Sequence, residues 1–299
     1  MIKKRSKVAD SGGGIFVHIL LIVFSALCLF PFLIILGSSF ESQSQIMKTG
    51  YTAFPKAFSL EAYKAVFVNP TRLVDAYKIT IFTSVLTTII GLLLQSTFAY
   101  VISRRDYPYR KQLAFFAFFT MLFNGGLVPS YILISSWLGL KDSVWALILP
   151  GAAGAWYIMM LKAFFMSIPV SLIDSAKIDG ASEIKIFFRI IVPLSKPALA
   201  CIALFMLFTS WNAWYPSLLY IESENKVQLQ YLLMSIMKNI EFLNSAEATQ
   251  LGVNAAFTAP PTLNARMAMC VLAMGPIVIV FPFFQKYFVK GITVGSVKG

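Results

Sequence analysis

Six times along the chain, about twenty mostly apolar positions are followed by a more polar stretch carrying Lys or Arg. The apolar runs are roughly 15–37, 79–102, 113–135, 144–166, 198–220 and 267–287. A run of about 20 apolar residues is what a helix needs to cross a bilayer core of roughly 30 Å. Inside lipid every backbone N–H and C=O needs an internal partner, which predicts helices and excludes open strands. Pro31, Pro129, Pro150, Gly151 and Pro276 fall within these runs. Neighbouring helices can satisfy the backbone groups that such residues free. The expected fold is all-α integral membrane, with six transmembrane helices. The first run follows Lys3, Lys4, Arg5 and Lys7, as a signal peptide would. Its length and the lack of a prompt small-x-small cleavage site favour a retained anchor.

The polar stretches set the orientation. With the N-terminus inside, the inner segments hold sixteen Lys and Arg and the outer ones nine; the net charges are +11 and +1. That asymmetry predicts both termini in the cytoplasm. The organisation is then a cytoplasmic N-terminal segment, 1–14, followed by a six-helix membrane domain, 15–299. Extracytoplasmic segments fall at about 38–78 and 222–266, and a long cytoplasmic loop at about 167–197. Within the first outer segment, Ser59–Phe67 reads as a short amphipathic helix capped by Ser59. In the second, Ala259-Pro260-Pro261-Thr262 ends one element before the last run.

Composition agrees with a lipid-facing chain: 58% of residues are hydrophobic, 13% are charged and mean hydropathy is +0.75. A soluble domain carries about 25% charged residues. The formal charge of +12 lies at the ends of apolar runs. That is membrane topology and not a nucleic-acid face. Cys28, Cys201 and Cys270 lie singly within apolar runs, without the spacing of a zinc site or redox pair, and read as small buried hydrophobes. No charged residue lies deep in a run, which disfavours proton relays and voltage sensors. The deep polar groups are the amides of Gln95, Asn124 and Asn212, and His18 sits near the inner end of the first run. No Gly-Lys dipeptide occurs, so a P-loop is absent. One histidine excludes multi-His zinc ligation, and no Gly-x-Ser-x-Gly elbow appears. The chain therefore reads as no enzyme, with no cofactor or metal of its own.

The informative stretch is Pro169–Pro193. Ser171 and Asp174 predict a capping box, Gly180 a left-handed helix end, Ser182 a second N-cap, and Pro193 a stop. Leu172, Ala176 and Gly180 share one face at i, i+4 spacing and leave a shallow surface suited to a partner's cleft. An amphipathic element lying on the membrane is the alternative. Asp174-Ser175-Ala176, three residues, Gly180, nine residues, then Ile190-Ile191-Val192-Pro193 resembles the cytoplasmic loop of ABC importer permeases, Glu-Ala-Ala…Gly…Ile-x-Leu-Pro. Asp, Ser and Val replace Glu, Ala and Leu, and the spacing has no gap. Phe281–Gly299 resembles the ending of maltose-type second permease subunits of the carbohydrate family. Met121–Ser130 resembles the polysaccharide and complex-oligosaccharide subgroup.

The resemblance implies a type I importer permease fold in the bacterial cytoplasmic membrane. It implies that Asp174, Ser175, Ala176, Asp179, Gly180 and Pro193 belong to a coupling helix seated on an ATPase. The tail, with Lys298 and Gly299, reaches that ATPase. The implied partners are a second homologous permease, two ATPase subunits holding ATP and Mg, an extracytoplasmic solute-binding protein, a sugar and membrane lipid, with no nucleic acid. Peptide import, or less readily a secondary transporter, are the competing readings. Asn124, Trp211, Asn212, Trp214 and Tyr215 offer aromatic faces and amides for a sugar pathway. Trp214 and Tyr215 equally fit an interfacial belt, and Asn212 an interhelical bond.

Overall fold

The computed structural model describes residues 12–67, 70–243 and 262–295. These are helical nearly throughout; the one β-bridge among them pairs Glu41 with Phe58. Three helices are long and apolar enough to cross a membrane: residues 15–39, 70–103 and 263–283. Three further pairs of helices pass the same test together but are bent, so the number is six if each bent pair is one span. The described residues fall into two compact units, one from 12–67, 236–243 and 262–275, the other from 70–235 and 276–295.

In the first unit, α1 (Gly12–Ser39) presents apolar side chains outward along its length. Pro31 sits inside this helix without ending it. Short helices α2 (Gln43–Thr49) and α3 (Glu61–Val66) follow. The segment between them folds tightly onto the end of α1. A Cβ on Gly37 would lie 2.2 Å from the Ala53 carbonyl oxygen, so only glycine fits. Glu41 is fully buried, and its carboxylate accepts bonds from the Thr52 hydroxyl and the Lys56 N–H. Those bonds make a buried carboxylate tolerable. Asn264 donates to the Glu41 carbonyl at 3.0 Å, and the Leu263 N–H reaches Gln43 at 3.1 Å. Ser59 accepts from the Glu61 N–H at 3.2 Å, one residue outside the helix it was expected to cap.

The second unit is built on α4 (Pro70–Ser103). Its buried face runs Ala76, Thr80, Thr83, Ser84, Thr87, Gly91, Gln95 and Ala99, a helical stripe of small and polar residues. Such residues let backbones approach closely within membranes. Against α4 pack α7 (Trp145–Ala152), α8 (Ala155–Met166) and α12 (Lys196–Trp211). A Cβ on Gly91 would meet Met206 at 2.1 Å and the Ala152 carbonyl at 2.9 Å. Where α7 ends, the freed Ala152 carbonyl accepts from Gln95 at 2.8 Å.

Each bent pair has a local cause. α5 (Arg110–Leu122) and α6 (Leu127–Ile132, continued by a π turn at Leu133–Trp137) meet at 114°. The expected span 113–135 is sharply bent. Phe123 is extended, Asn124 accepts the Gly126 N–H at 2.8 Å, and Gly126 takes φ 88°. Glycine enters that region without steric cost. α7 and α8 bend by 42° at Ala153-Gly154.

The third pair is α10 (Glu183–Ile186), a π turn at Phe187–Ile191 and α11 (Val192–Leu194), followed by α12 at 81°. Pro193 does not stop this helix as expected. The wider π turn, closed by Val192 N–H to Phe187 O, precedes the proline, and the chain stays helical to Leu194. The bend falls at Ser195, ahead of Pro197. That residue cannot donate to the Pro193 carbonyl. The expected span 198–220 also breaks: α12 ends at Trp211 with Asn212 as its C-cap, and α13 (Tyr215–Tyr220) starts anew with Pro216 in its first turn. Cys28 and Cys270 are exposed on the chain surface and not buried as expected; all three cysteines are free thiols.

α9 (Val170–Ile178) lies between α8 and α10. α14 (Leu229–Leu243) and α15 (Thr262–Gly295, with Pro276 and Pro282 inside) complete the chain. Near the Pro70 end of α4, Thr80 accepts the Leu229 N–H at 2.7 Å, and Gln228 bonds both Thr83 and Ser217. Asp142, at φ 54°, accepts from the Glu222 and Ser223 N–H groups, the Ser223 hydroxyl and Lys226. Bonding to Ser223 first, then to Lys226, holds its carboxyl far below the usual carboxylate range.

Candidate functional site: the α9–α10 turn

The sequence places two short helices around Gly180, and the structure has them. α9 closes in a Schellman motif. The Ala181 N–H bonds the Ala176 carbonyl at 2.9 Å and the Gly180 N–H bonds Lys177 at 3.0 Å, with Gly180 at φ 75°. Ser182 then accepts the Lys185 N–H at 3.4 Å and caps α10. The expected capping box of Ser171 and Asp174 is not formed. α9 begins at Val170 with Pro169 as its N-cap and no side-chain cap bond, so Ser171 is already within the first turn.

The turn displays apolar groups without covering them. Ile178 is 87% exposed and Ile184 72%, and Leu172 and Val170 are exposed beside them. Asp174, Ser175 and Asp179 are exposed on the same helix and its cap, while Ala176 is half-buried. Ile173 alone is buried, against the cluster of Tyr100, Phe165, Ile186, Phe187 and Ile191. Asp174 also borders a cavity of about 120 Å³ shared with Tyr100, Arg104 and Arg105. Pro193 lies behind the turn, in α11.

Four charged side chains close a ring at this place. Arg104 holds Asp106 through two bonds, at 2.6 and 3.0 Å, and approaches Glu183 at 3.4 Å. Lys177 reaches Asp106 at 2.7 Å and Glu183 at 3.0 Å. The Tyr100 hydroxyl donates to the other oxygen of Glu183 at 2.6 Å, with its ring 5.8 Å below the Arg104 guanidinium. Bonds from Arg104, then Lys177, hold the Asp106 carboxyl well below its usual range. The same contacts, Asp106 first, raise Lys177. All members therefore stay charged at neutral pH. These groups were not singled out from sequence. Opposite charges in 103–112 and 167–197 were visible, but partners separated by 71 or 79 residues cannot be matched by spacing.

The other sequence candidates separate. Trp211 is buried at 5% exposure, with its ring 6.4 Å from Tyr77. Asn212 is exposed; its amide donates to the Phe208 carbonyl and accepts from Gln230. Trp214 and Tyr215 are exposed and pack edge to face. Asn124 bonds within its own turn, and no bond joins it to 211–215 among the described residues. A strip not anticipated runs beside Asn212. Phe205, Thr209 and Asn212 lie on one exposed face of α12. Trp156 meets Phe205 at 6.0 Å, and the Tyr157 and Thr209 hydroxyls are 3.4 Å apart. Lys298 and Gly299 lie outside the described residues. Among the described residues, no cluster of His, Cys, Asp or Glu could hold a metal ion.

Two short exposed helices joined at Gly180 are what the resemblance to ABC importer permeases implies. Residues 112–294 match the family model described as binding-protein-dependent transport system inner membrane component. The chain belongs to that family. It is 39% identical to the polygalacturonan/rhamnogalacturonan transport system permease protein YtcP of Bacillus subtilis strain 168, over 93% of this chain and 96% of that one. It is 40% identical to the protein LplC of the same organism, over 92% of this chain and 90% of the relative. Among solved structures it resembles a chain of a bacterial ABC transporter involved in import of the acidic polysaccharide alginate. The TM-score is 0.76 at 29% identity, covering 92% and 96% of the two chains. The chain is thus an inner-membrane permease component of a binding-protein-dependent importer and not an enzyme.

Proposed function

We propose that the chain forms half of the pathway of an ATP-driven importer of oligosaccharides derived from polysaccharides, in a bacterial cytoplasmic membrane. It crosses six times with both termini inside and pairs with a second, homologous permease. The observation that carries this reading is the α9–α10 turn. Its Schellman end at Gly180 presents Leu172, Ile178 and Asp179 uncovered, as a helix seated in a groove of a separate ATPase requires. ATP and Mg would be held by that ATPase; the missing Gly-Lys leaves this chain no phosphate cradle. Closure of two ATPases would move the turn and, with it, the packed helices, which switch between discrete arrangements.

The substrate class rests on the company the chain keeps. One similar protein is named for polygalacturonan/rhamnogalacturonan transport, and one similar structure belongs to a transporter involved in import of the acidic polysaccharide alginate. The strip of Trp156, Tyr157, Phe205, Thr209 and Asn212 offers the stacking faces and hydroxyl and amide groups a sugar uses. Trp214 and Tyr215 extend it, and Trp211 packs behind. A solute-binding protein would dock on segments 38–78 and 222–266, and the tail through Lys298 and Gly299 would reach the ATPase. Proteoliposomes holding both permeases and the ATPase test the proposal. With the solute-binding protein outside and ATP inside, uptake of labelled oligogalacturonide or oligoalginate is expected. Uptake of peptides in place of any oligosaccharide, or uptake without ATP, would overturn it.

A further inference from the structure

Motion of α9 is useful only if α4, the helix on which α7, α8 and α12 pack, moves with it. The apolar tie between them is thin. α9 has nine residues and buries one side chain, Ile173. A helix of that length does not hold itself together in water, and one isoleucine is a single apolar anchor. That isoleucine joins a cluster that also takes Tyr100 from α4 and Ile186 and Phe187 from the α10 side; beside it lies the ring of alternating charges. Arg104 extends from the end of α4, Asp106 from the turn after it, Lys177 from the last turn of α9 and Glu183 from the start of α10. Each carboxylate accepts from both cations, so three separate segments meet in one closed circuit. Tyr100, one turn back on α4, holds Glu183 from beneath.

We infer that Tyr100, Arg104, Asp106, Lys177 and Glu183 are positioning residues. They latch the coupling turn to α4, so that a push on α9 reaches the bundle as a rigid-body movement. This rests on the coupling reading above. Single exposed ion pairs contribute little to stability; a bidentate pair within a ring constrains direction more than it adds stability. The latch should therefore be visible in coupling before it is visible in folding.

The test uses the complete reconstituted transporter, with Asp106→Asn, Lys177→Met, the double variant, and Lys177→Arg as the conservative control. The readouts are solute moved per ATP hydrolysed and thermal stability of the purified complex. The expected result is a drop of about fivefold in solute per ATP for each single variant, the low end of coupling between sites. The double variant should be no worse than either single one, Lys177→Arg should be near wild type, and the melting temperature should be little changed. Wild-type ratios in both single variants would overturn the latch. So would additive losses, or losses that track a fall in melting temperature. Gly180→Leu runs beside them. If it too leaves solute-stimulated ATPase unchanged, the coupling reading fails. If it uncouples while the ring variants do not, only the latch fails.

Discussion

Gly180 carries the largest demand on a single residue. Its φ of 75° closes α9, and nothing lies within 4 Å of the place a Cβ would take. The constraint there is backbone strain alone. Gly180→Leu should cost about 1–2 kcal/mol and at least halve solute-stimulated ATPase activity, with assembly retained. Gly180→Asn, which tolerates that conformation better, should keep more of it. Gly91 is the opposite case, an ordinary helical residue with no room. Gly91→Val would drive a side chain into Met206 and the Ala152 carbonyl. Overpacking of that kind costs about 1–3 kcal/mol; lower yield and a lower melting temperature of the purified chain would register it. The glycine turn was legible because its spacing to Asp174 and Pro193 is unbroken. The close approach at Gly91 was not, because nothing in its own neighbourhood announces Ala152.

Among the elements, the long runs were readable and the breaks were not. α1, α4 and α15 follow from uninterrupted apolar length. The 114° bend between α5 and α6 follows from Asn124-Gly125-Gly126, which a hydropathy window averages into its surroundings. Pro193 was visible but misleading. A π turn upstream absorbs it, and the bend waits for Pro197. The pathway candidates divide by which face of α12 they occupy. Trp211 is buried, so Trp211→Ala should behave as a core truncation of about 3–5 kcal/mol, measured as loss of folded complex. Trp156→Ala and Thr209→Ala alter an exposed strip; folded yield should hold while the KM for uptake rises severalfold. Equal yields and equal uptake for Trp211→Ala would contradict this division of roles.

For the whole molecule, the charge asymmetry of +11 against +1 and the absence of Gly-Lys already bounded the mechanism. Without Gly-Lys the chain has no P-loop through which to bind ATP itself. Purified alone, it should hydrolyse no ATP above background. The family match over residues 112–294 agrees with that expectation. What composition could not supply was the join between the driven element and the rest. The join we propose is the ring of residues 100, 104, 106, 177 and 183, assembled only by the fold.

The most direct measurement is a cross-link across the proposed ATPase contact. Ile178→Cys, in a background with the three native cysteines replaced by Ser, should give an adduct with the ATPase subunit in membranes, and nucleotide should change its yield. Phe54→Cys, exposed in the segment proposed to be extracytoplasmic, should give none. No adduct from Ile178→Cys, or an equal one from Phe54→Cys, would contradict the account.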